Sequence, residues 1–422
     1  EDFDHIPAIF CSESITKSSP AAFNLILQKI QAFSEQKIRS NNAVKSFGFL
    51  SQKNIVQNIT SFAKNQLPEE SGNSLKEIPI AIIGGGPSID ETLYLIEKYQ
   101  KEFIIFCTDT VCLNLNKIGI NPEFVISVDP LKNPQDYIGT SQKLSSLFLS
   151  LKSPPEWTEL EVEGIHFING KNLADQWLSE NGFLSNTPKI SGNVGITAVE
   201  LAIFWGCNPI MLFGMDHAVS KSGKKWNKEY ARFERDNSNT ETDPSLKSVK
   251  GNYSSTVKTH VLNEWEQLDK IISNLPNNQE IWNINDRGAK FTDAKLIHPK
   301  EFVFSSPTIL DKESLHFKSK SHIEKSKRIL RLSLLMKDIL NRNEDDINLL
   351  INKRSVDKDT QLLIANLLKD QDIFKIWGNF TLKISPLIIK WDDLSFTERE
   401  ELLKETKSML LDLRSMHLSL DE

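Results

Sequence analysis

The sequence predicts an α/β protein built on a doubly wound parallel sheet, and three observations predict it. First, residues 78–90, IPIAIIGGGPSID, read as a buried strand running into consecutive glycines and then a helix start, with Pro87 in its first turn and Ser88 beside it. An apolar run bounded by glycine suits a parallel strand covered on both faces. Second, two further apolar runs each end in an acid: Phe103–Cys107 leads to Thr108, Asp109 and Thr110, and Phe124–Val128 leads to Asp129 and Pro130. Third, residues 190–217 place Ser191, Gly192 and Asn193 before an apolar helix from Val194 to Trp205, stopped at Gly206. A short strand from Pro209 to Phe213 follows, ending in Gly214, Asp216 and His217. Further strands are expected at Ile165–Ile168 and Ile281–Ile284. Alternation of this kind describes a Rossmann-like domain.

Each element carries a chemical expectation. Glycines let backbone N–H groups approach an anion, and the helix behind them adds a favourable dipole, so Gly84, Gly85, Gly86, Pro87 and Ser88 outline a phosphate cradle. In an open parallel sheet ligands bind outside the carboxyl ends of the strands. The glycine loop, Asp109, Thr110, Asp129, Pro130, Ser191, Gly192, Asn193 and Gly214 would therefore line one crevice. Simple helix capping and turn formation would use the same acids, serine and asparagine.

The remainder of the chain divides by composition. Residues 1–77 are expected to form two helices, about Ala21–Arg39 and Leu50–Leu67, with a polar linker from Pro68 to Lys76. Residues 78–305 form the nucleotide-binding domain, and residues 306–422 a helical domain. In that last part leucine and isoleucine recur at three- and four-residue intervals, and Ser395 with Glu398 makes a capping box. The polar stretch Asp236–Ser255, broken by Pro244 and Gly251, is expected to be a lid over a bound donor.

Composition narrows the function. The chain has 422 residues, 39% hydrophobic and 25% charged, with a net charge of −6, which argues against a nucleic-acid surface. Lys221, Lys224 and Lys225 are a local basic patch able to attract an anionic sugar nucleotide. Cys11, Cys107, Cys112 and Cys207 are scattered and read as reduced thiols of a cytoplasmic protein. Apolar runs fall far short of the roughly 20 residues that a membrane helix needs. No GxxxxGK[ST], HExxH, CxxC or GxSxG occurs, and Asp2 with Asp4, a DxD triplet, reads as solvated charge, so no metal is expected. The dinucleotide fingerprint is spoiled by Ile89 where a small residue is required, although Asp109 stands about where a ribose-binding acid would, keeping an oxidoreductase open.

The segments GGGPSID, GINPEFVISVDP, SGNVGITAVELAIFWGCNPIMLFGMD, VKGNYSSTVKTHVLNEWEQLDKII and INDRGAKF, in that order, resemble the central domain of the motility-associated-factor (Maf) glycosyltransferases, over about residues 45–300. A more distant resemblance is to bacterial sialyltransferases that use CMP-sialic acid. The likeness implies transfer of a nonulosonic acid, of pseudaminic or legionaminic type, from a CMP donor to serine and threonine hydroxyls of flagellin, with the activated sugar as substrate and no separate cofactor. It implies that Gly84 to Ser88 hold the donor phosphate, with Asp109 and Asp129 near the nucleoside. Ser191 to Asn193 would face the phosphate or sugar, and Gly214 with Asp216 would floor the site. The sialyltransferase general-base histidine would align near Ser255 and Thr256, where no histidine stands, leaving His260, His217 and Asp216 as candidate bases. The helical tail suits a protein acceptor or a homo-oligomer contact. Alternatives are an ATP-using 6-hydroxymethylpterin diphosphokinase and a non-catalytic flagellin-binding chaperone.

Overall fold

The computed structural model describes residues 12–138, 144–220, 225, 246–305, 310–312, 315, 317 and 322–421. Cys11, the Asp2/Asp4 triplet, Lys221, Lys224 and the first half of the expected lid lie outside the described residues.

Ten strands are described: β1 (Ile80–Ile83), β2 (Ile104–Thr108), β3 (Phe124–Ser127), β4 (Leu144–Leu149), β5 (Val162–Phe167), β6 (Ile210–Phe213), β7 (Lys247–Val249), β8 (Val257–Thr259), β9 (Ile281–Ile284) and β10 (Lys295–Ile297). All but β7 and β8 form one sheet in the order β10-β9-β6-β1-β2-β3-β4-β5, with every pairing parallel. The chain steps outward from β1 to β5, then returns to place β6 on the other side of β1. The topological switch point therefore falls between β1 and β6. β7, in the second half of the expected lid, pairs with β8 just beyond it as an antiparallel hairpin.

The described helices are α1 (Glu13–Ser18), α2 (Pro20–Asn65), α3 (Ile89–Tyr99), α4 (Cys112–Lys117), α5 (Pro134–Tyr137), α6 (Leu173–Glu180), α7 (Val194–Phe204), α8 (Leu262–Ser273), α9 (His322–Arg342), α10 (Glu344–Asn352), α11 (Lys358–Leu367), α12 (Gln371–Ile389) and α13 (Phe396–Asp421). The two helices expected before residue 68 are one continuous helix, α2. The intervening Ser40–Leu50 contains no proline, and a single interior glycine, Gly48, costs a helix only about 1 kcal/mol, too little to end it.

Both faces of the sheet are apolar, as fully covered parallel strands require. Ala81, Ile83, Ile105, Cys107, Val125 and Leu147 pack with α2, α3 and the C-terminal helices. Ile80, Ile82, Ile104, Phe106, Phe124 and Ile126 pack with α7, α8 and Trp205. The C-terminal helices thus share one core with α2. At Gly378 (φ 34°) α12 is kinked, and Gln52 of α2 meets the freed backbone by accepting from Asn379 N at 2.9 Å and donating to Ile376 O. Ser395 and Glu398 form the expected reciprocal cap of α13. Cys107, Cys112 and Cys207 are buried free thiols. Among the described residues no helix is long and apolar enough to cross a membrane.

Candidate functional site

At the switch point the glycine loop leaves β1 and packs directly on the loop that leaves β6. Gly84 N–H donates to Phe213 O and Gly86 N–H to Gly214 O, both at 2.8 Å, and Ser88 N–H donates to Asp216 Oδ2 at 2.9 Å. The other carboxylate oxygen, Asp216 Oδ1, accepts from Asn285 Nδ2 at 2.9 Å, and Asp216 O accepts from Ala289 N. A Cβ on Gly86 would lie 2.2 Å from Asp216 Oδ2, and one on Gly84 would lie 2.8 Å from Gly214 O, so close loop packing requires both glycines. Gly214 adopts φ +63° and its Cβ would strike Gly84 O at 2.3 Å. Asp216 is fully buried, and burial raises its pKa although the Ser88 and Asn285 hydrogen bonds pull the other way. In this structure its carboxylate positions the glycine loop rather than facing solvent.

Met215 joins the two helix mouths. Its Sδ would be 2.7 Å from a Cβ on either Gly84 of the glycine loop or Gly195 of α7, so the mouths of α3 and α7 are one methionine side chain apart. Asn193 caps α7 by accepting from Gly195 N at 2.7 Å, and Ser191 is fixed by Ser191 N–H to Thr197 Oγ1 (3.0 Å) and Ser191 Oγ to Glu200. Gly192 is exposed, with only Gln267 Oε1 within 4 Å of where its Cβ would stand, at 3.9 Å.

The strand-end acids separate. Asp109 is buried and saturated: Oδ1 accepts from Lys132 Nζ (2.5 Å) and Thr110 Oγ1 (3.0 Å), and Oδ2 from Ser127 Oγ (2.7 Å). Lys132 also donates to Thr110 Oγ1 at 3.0 Å and lies over the Tyr137 ring. Burial alone would lower its pKa, but Asp109 more than compensates and holds it above the ordinary lysine range. Sequence reading missed Lys132. Its signal was the same SVDPLK segment that supplied Asp129, three residues upstream. Asp129 is half-buried at the rim, its Oδ1 turning the chain by accepting from Leu131 N at 2.9 Å, while Pro130 O receives Asn54 Nδ2 of α2 at 3.3 Å.

His217 is buried, with φ +45° and its ring edge-on to Phe291. Burial, followed by the nearby His260, lowers its pKa to about 4, so it is neutral at pH 7. His260 follows β8 directly and is half-buried, with Ser255 and Thr256 exposed on the same hairpin. The hairpin is sewn to the rim by Val219 N to Lys258 O (2.9 Å), Lys290 N to Lys250 O (2.8 Å) and Asn252 N to Gly288 O (3.0 Å). A second cation missed from the sequence, Arg287, reaches Glu91 of α3 at 3.1 Å and forks onto Asp286.

These loops therefore meet at one rim: 84–88, 109–110, 127–132, 191–195, 214–217, 250–260 and 285–291. Residues 53–222 match the family described as 6-hydroxymethylpterin diphosphokinase MptE-like. A similar solved structure is that of a MAf glycosyltransferase from Magnetospirillum magneticum AMB-1, at 16% identity and a TM-score of 0.49. The alignment covers 93% of this chain and 63% of that one, so this chain spans less than two thirds of its length. No curated protein matches the chain.

Proposed function

We propose that the protein is a glycosyltransferase that moves a nonulosonic acid from CMP to hydroxyls of flagellin in the cytoplasm, inverting the anomeric centre without a metal. The observation that carries this reading is the convergence of the resemblance-bearing segments. GGGPSID, SGNVG, GMD and NDRGAK are distant in sequence, yet they are joined through the Asp216 and Met215 contacts, the 250–260 hairpin is bonded to 288–290, and SVDP follows β3 at the same end of the parallel sheet.

The acceptor oxygen attacks the anomeric carbon as the bond to the phosphate oxygen breaks, and CMP leaves as a stabilised anion. Departure calls on positive potential more than on a general acid. The acceptor proton must go to a base. Asp216 has both oxygens engaged with Ser88 and Asn285, and His217 is packed beneath Phe291, whereas His260 is half-buried at the hairpin end. His260 is therefore the favoured base.

A second reading, an ATP-using diphosphokinase, is favoured by the family match over residues 53–222. A calorimetric screen of CMP, UDP, GDP, ATP and NAD, with and without magnesium, separates the two. Selective binding of CMP without metal supports the transferase; preference for ATP with magnesium supports the kinase. In a transfer assay His260→Ala is expected to abolish turnover while CMP still binds, and retained turnover would move the base to His217 or Asp216.

A further inference from the structure

Two thiols lie against each other beneath the turn that carries Asp109. Cys107, next to last in β2, and Cys112, first in α4, bring their Sγ atoms to 3.3 Å, and both side chains are fully buried. That separation is van der Waals contact, whereas a disulfide bond is about 2.0 Å long. Cys207, the third described thiol, lies in the core on the opposite face of the sheet.

Between the two thiols the chain makes a single 3-10 turn, Asp109–Val111. Two of the three donors that hold Asp109 come from elsewhere: Ser127 Oγ (2.7 Å) ends β3, and Lys132 Nζ (2.5 Å) lies in the loop after it. Lys132 is itself pinned, its carbonyl accepting from Trp157 Nε1 at 2.7 Å. These groups do not travel with the turn. Closing the sulfurs from 3.3 Å to a bond shortens their separation by roughly 1.3 Å. In a close-packed core such a movement passes to the backbone between them. Carried to Asp109, it takes a hydrogen bond of 2.7 Å past the roughly 3.2 Å at which such bonds weaken.

We infer that Cys107 and Cys112 form a reversible disulfide, a redox switch that loosens Asp109 from Lys132 and Ser127 and so opens the β2–β3 corner of the rim. Both sulfurs are buried, so the oxidant is a small one, hydrogen peroxide, rather than a protein disulfide. One thiolate attacks the peroxide: the O–O bond breaks, hydroxide leaves and a sulfenic acid forms. The other thiolate attacks that sulfur: the S–O bond breaks, the S–S bond forms and a second hydroxide leaves. The thiols give up two electrons, and their two protons complete two waters. Burial pushes the Cys107 thiol well up, so it rests protonated between such events.

The test treats the full chain, Cys107→Ala and Cys112→Ala with hydrogen peroxide and then with dithiothreitol, alkylating free thiols before digestion. The tryptic fragment 102–117 holds both cysteines. In oxidised wild type it should escape alkylation and be about 2 Da lighter than the dithiol form, with Cys207 still alkylated. Melting should fall by at least about 2 °C on oxidation and recover in dithiothreitol, while whichever alanine variant folds shows no such reversible change. The affinity arm rests on the donor reading above: CMP should bind oxidised wild type at least tenfold more weakly, again reversibly. Fragment 102–117 that stays fully alkylated overturns the inference, and so does a disulfide that leaves melting unchanged. Reduced wild type that binds no CMP overturns the donor reading instead, and the fragment mass and melting then decide the switch by themselves.

Discussion

The two halves of the rim differ in what they leave open. Around β1, β2 and β6 the two acids Asp216 and Asp109 are internally engaged: Asp216 accepts from Ser88 N–H and Asn285, and Asp109 from Lys132, Thr110 and Ser127. At the mouth of α7, by contrast, Gly192 is exposed, with nothing nearer than 3.9 Å to where its Cβ would stand. An acid at a strand end thus marks a place in the fold without being available to a ligand. Burial is the reason, because a buried carboxylate must find donors in the fold itself.

The largest effect should come from breaking the closed half. Asp109→Ala leaves Lys132 buried and unpaired, and is expected to cost about 3–5 kcal/mol in urea unfolding. Adding Lys132→Met should recover most of that loss, and a cost below about 1 kcal/mol for the single variant would mean that the network is solvated after all. Acid acts next. His166, buried between Phe148 and Phe317, has its pKa lowered to about 4 by burial. The unfolded chain takes up that proton near pH 6.5 while the fold does not, so stability present above pH 6.5 is lost as pH falls towards 4. The loss should be roughly 2–3 kcal/mol. His166→Phe should flatten the decline of the urea midpoint between pH 7 and 4.5; an unchanged slope would place the acid sensitivity elsewhere.

Glycines at the two helix mouths sharpen the contrast at smaller magnitude. Gly86→Ala forces a Cβ against Asp216 Oδ2 and Gly214 O, and should cost about 1–3 kcal/mol. Gly192→Ala meets nothing closer than 3.9 Å and should stay within about 0.5 kcal/mol of wild type. Equal melting temperatures for the two variants would remove the distinction between a packed and an open mouth.

The sheet was readable wherever an apolar run was long and punctuated: β1 between Pro79 and the glycines, β6 before Gly214, and β9, whose bounds match the expectation. β4 was not anticipated, because LSSLFL interleaves serine with its apolar residues, and β10 was not, because KLI is too short to show a period. The N-terminal helix was split by overweighting a polar interval that contains no helix breaker. At the site the sequence named the small residues and acids of each loop but not their partners. Lys132, Asn285 and Arg287 become neighbours of those groups only through pairing of distant strands, and one isolated cation carries no local pattern.

Hydrogen–deuterium exchange with and without CMP tests most directly whether the open half of the rim receives the donor. New protection at residues 191–195, at the open mouth of α7, and across the 84–89 glycine loop is the predicted result. CMP binding with neither segment newly protected would contradict it.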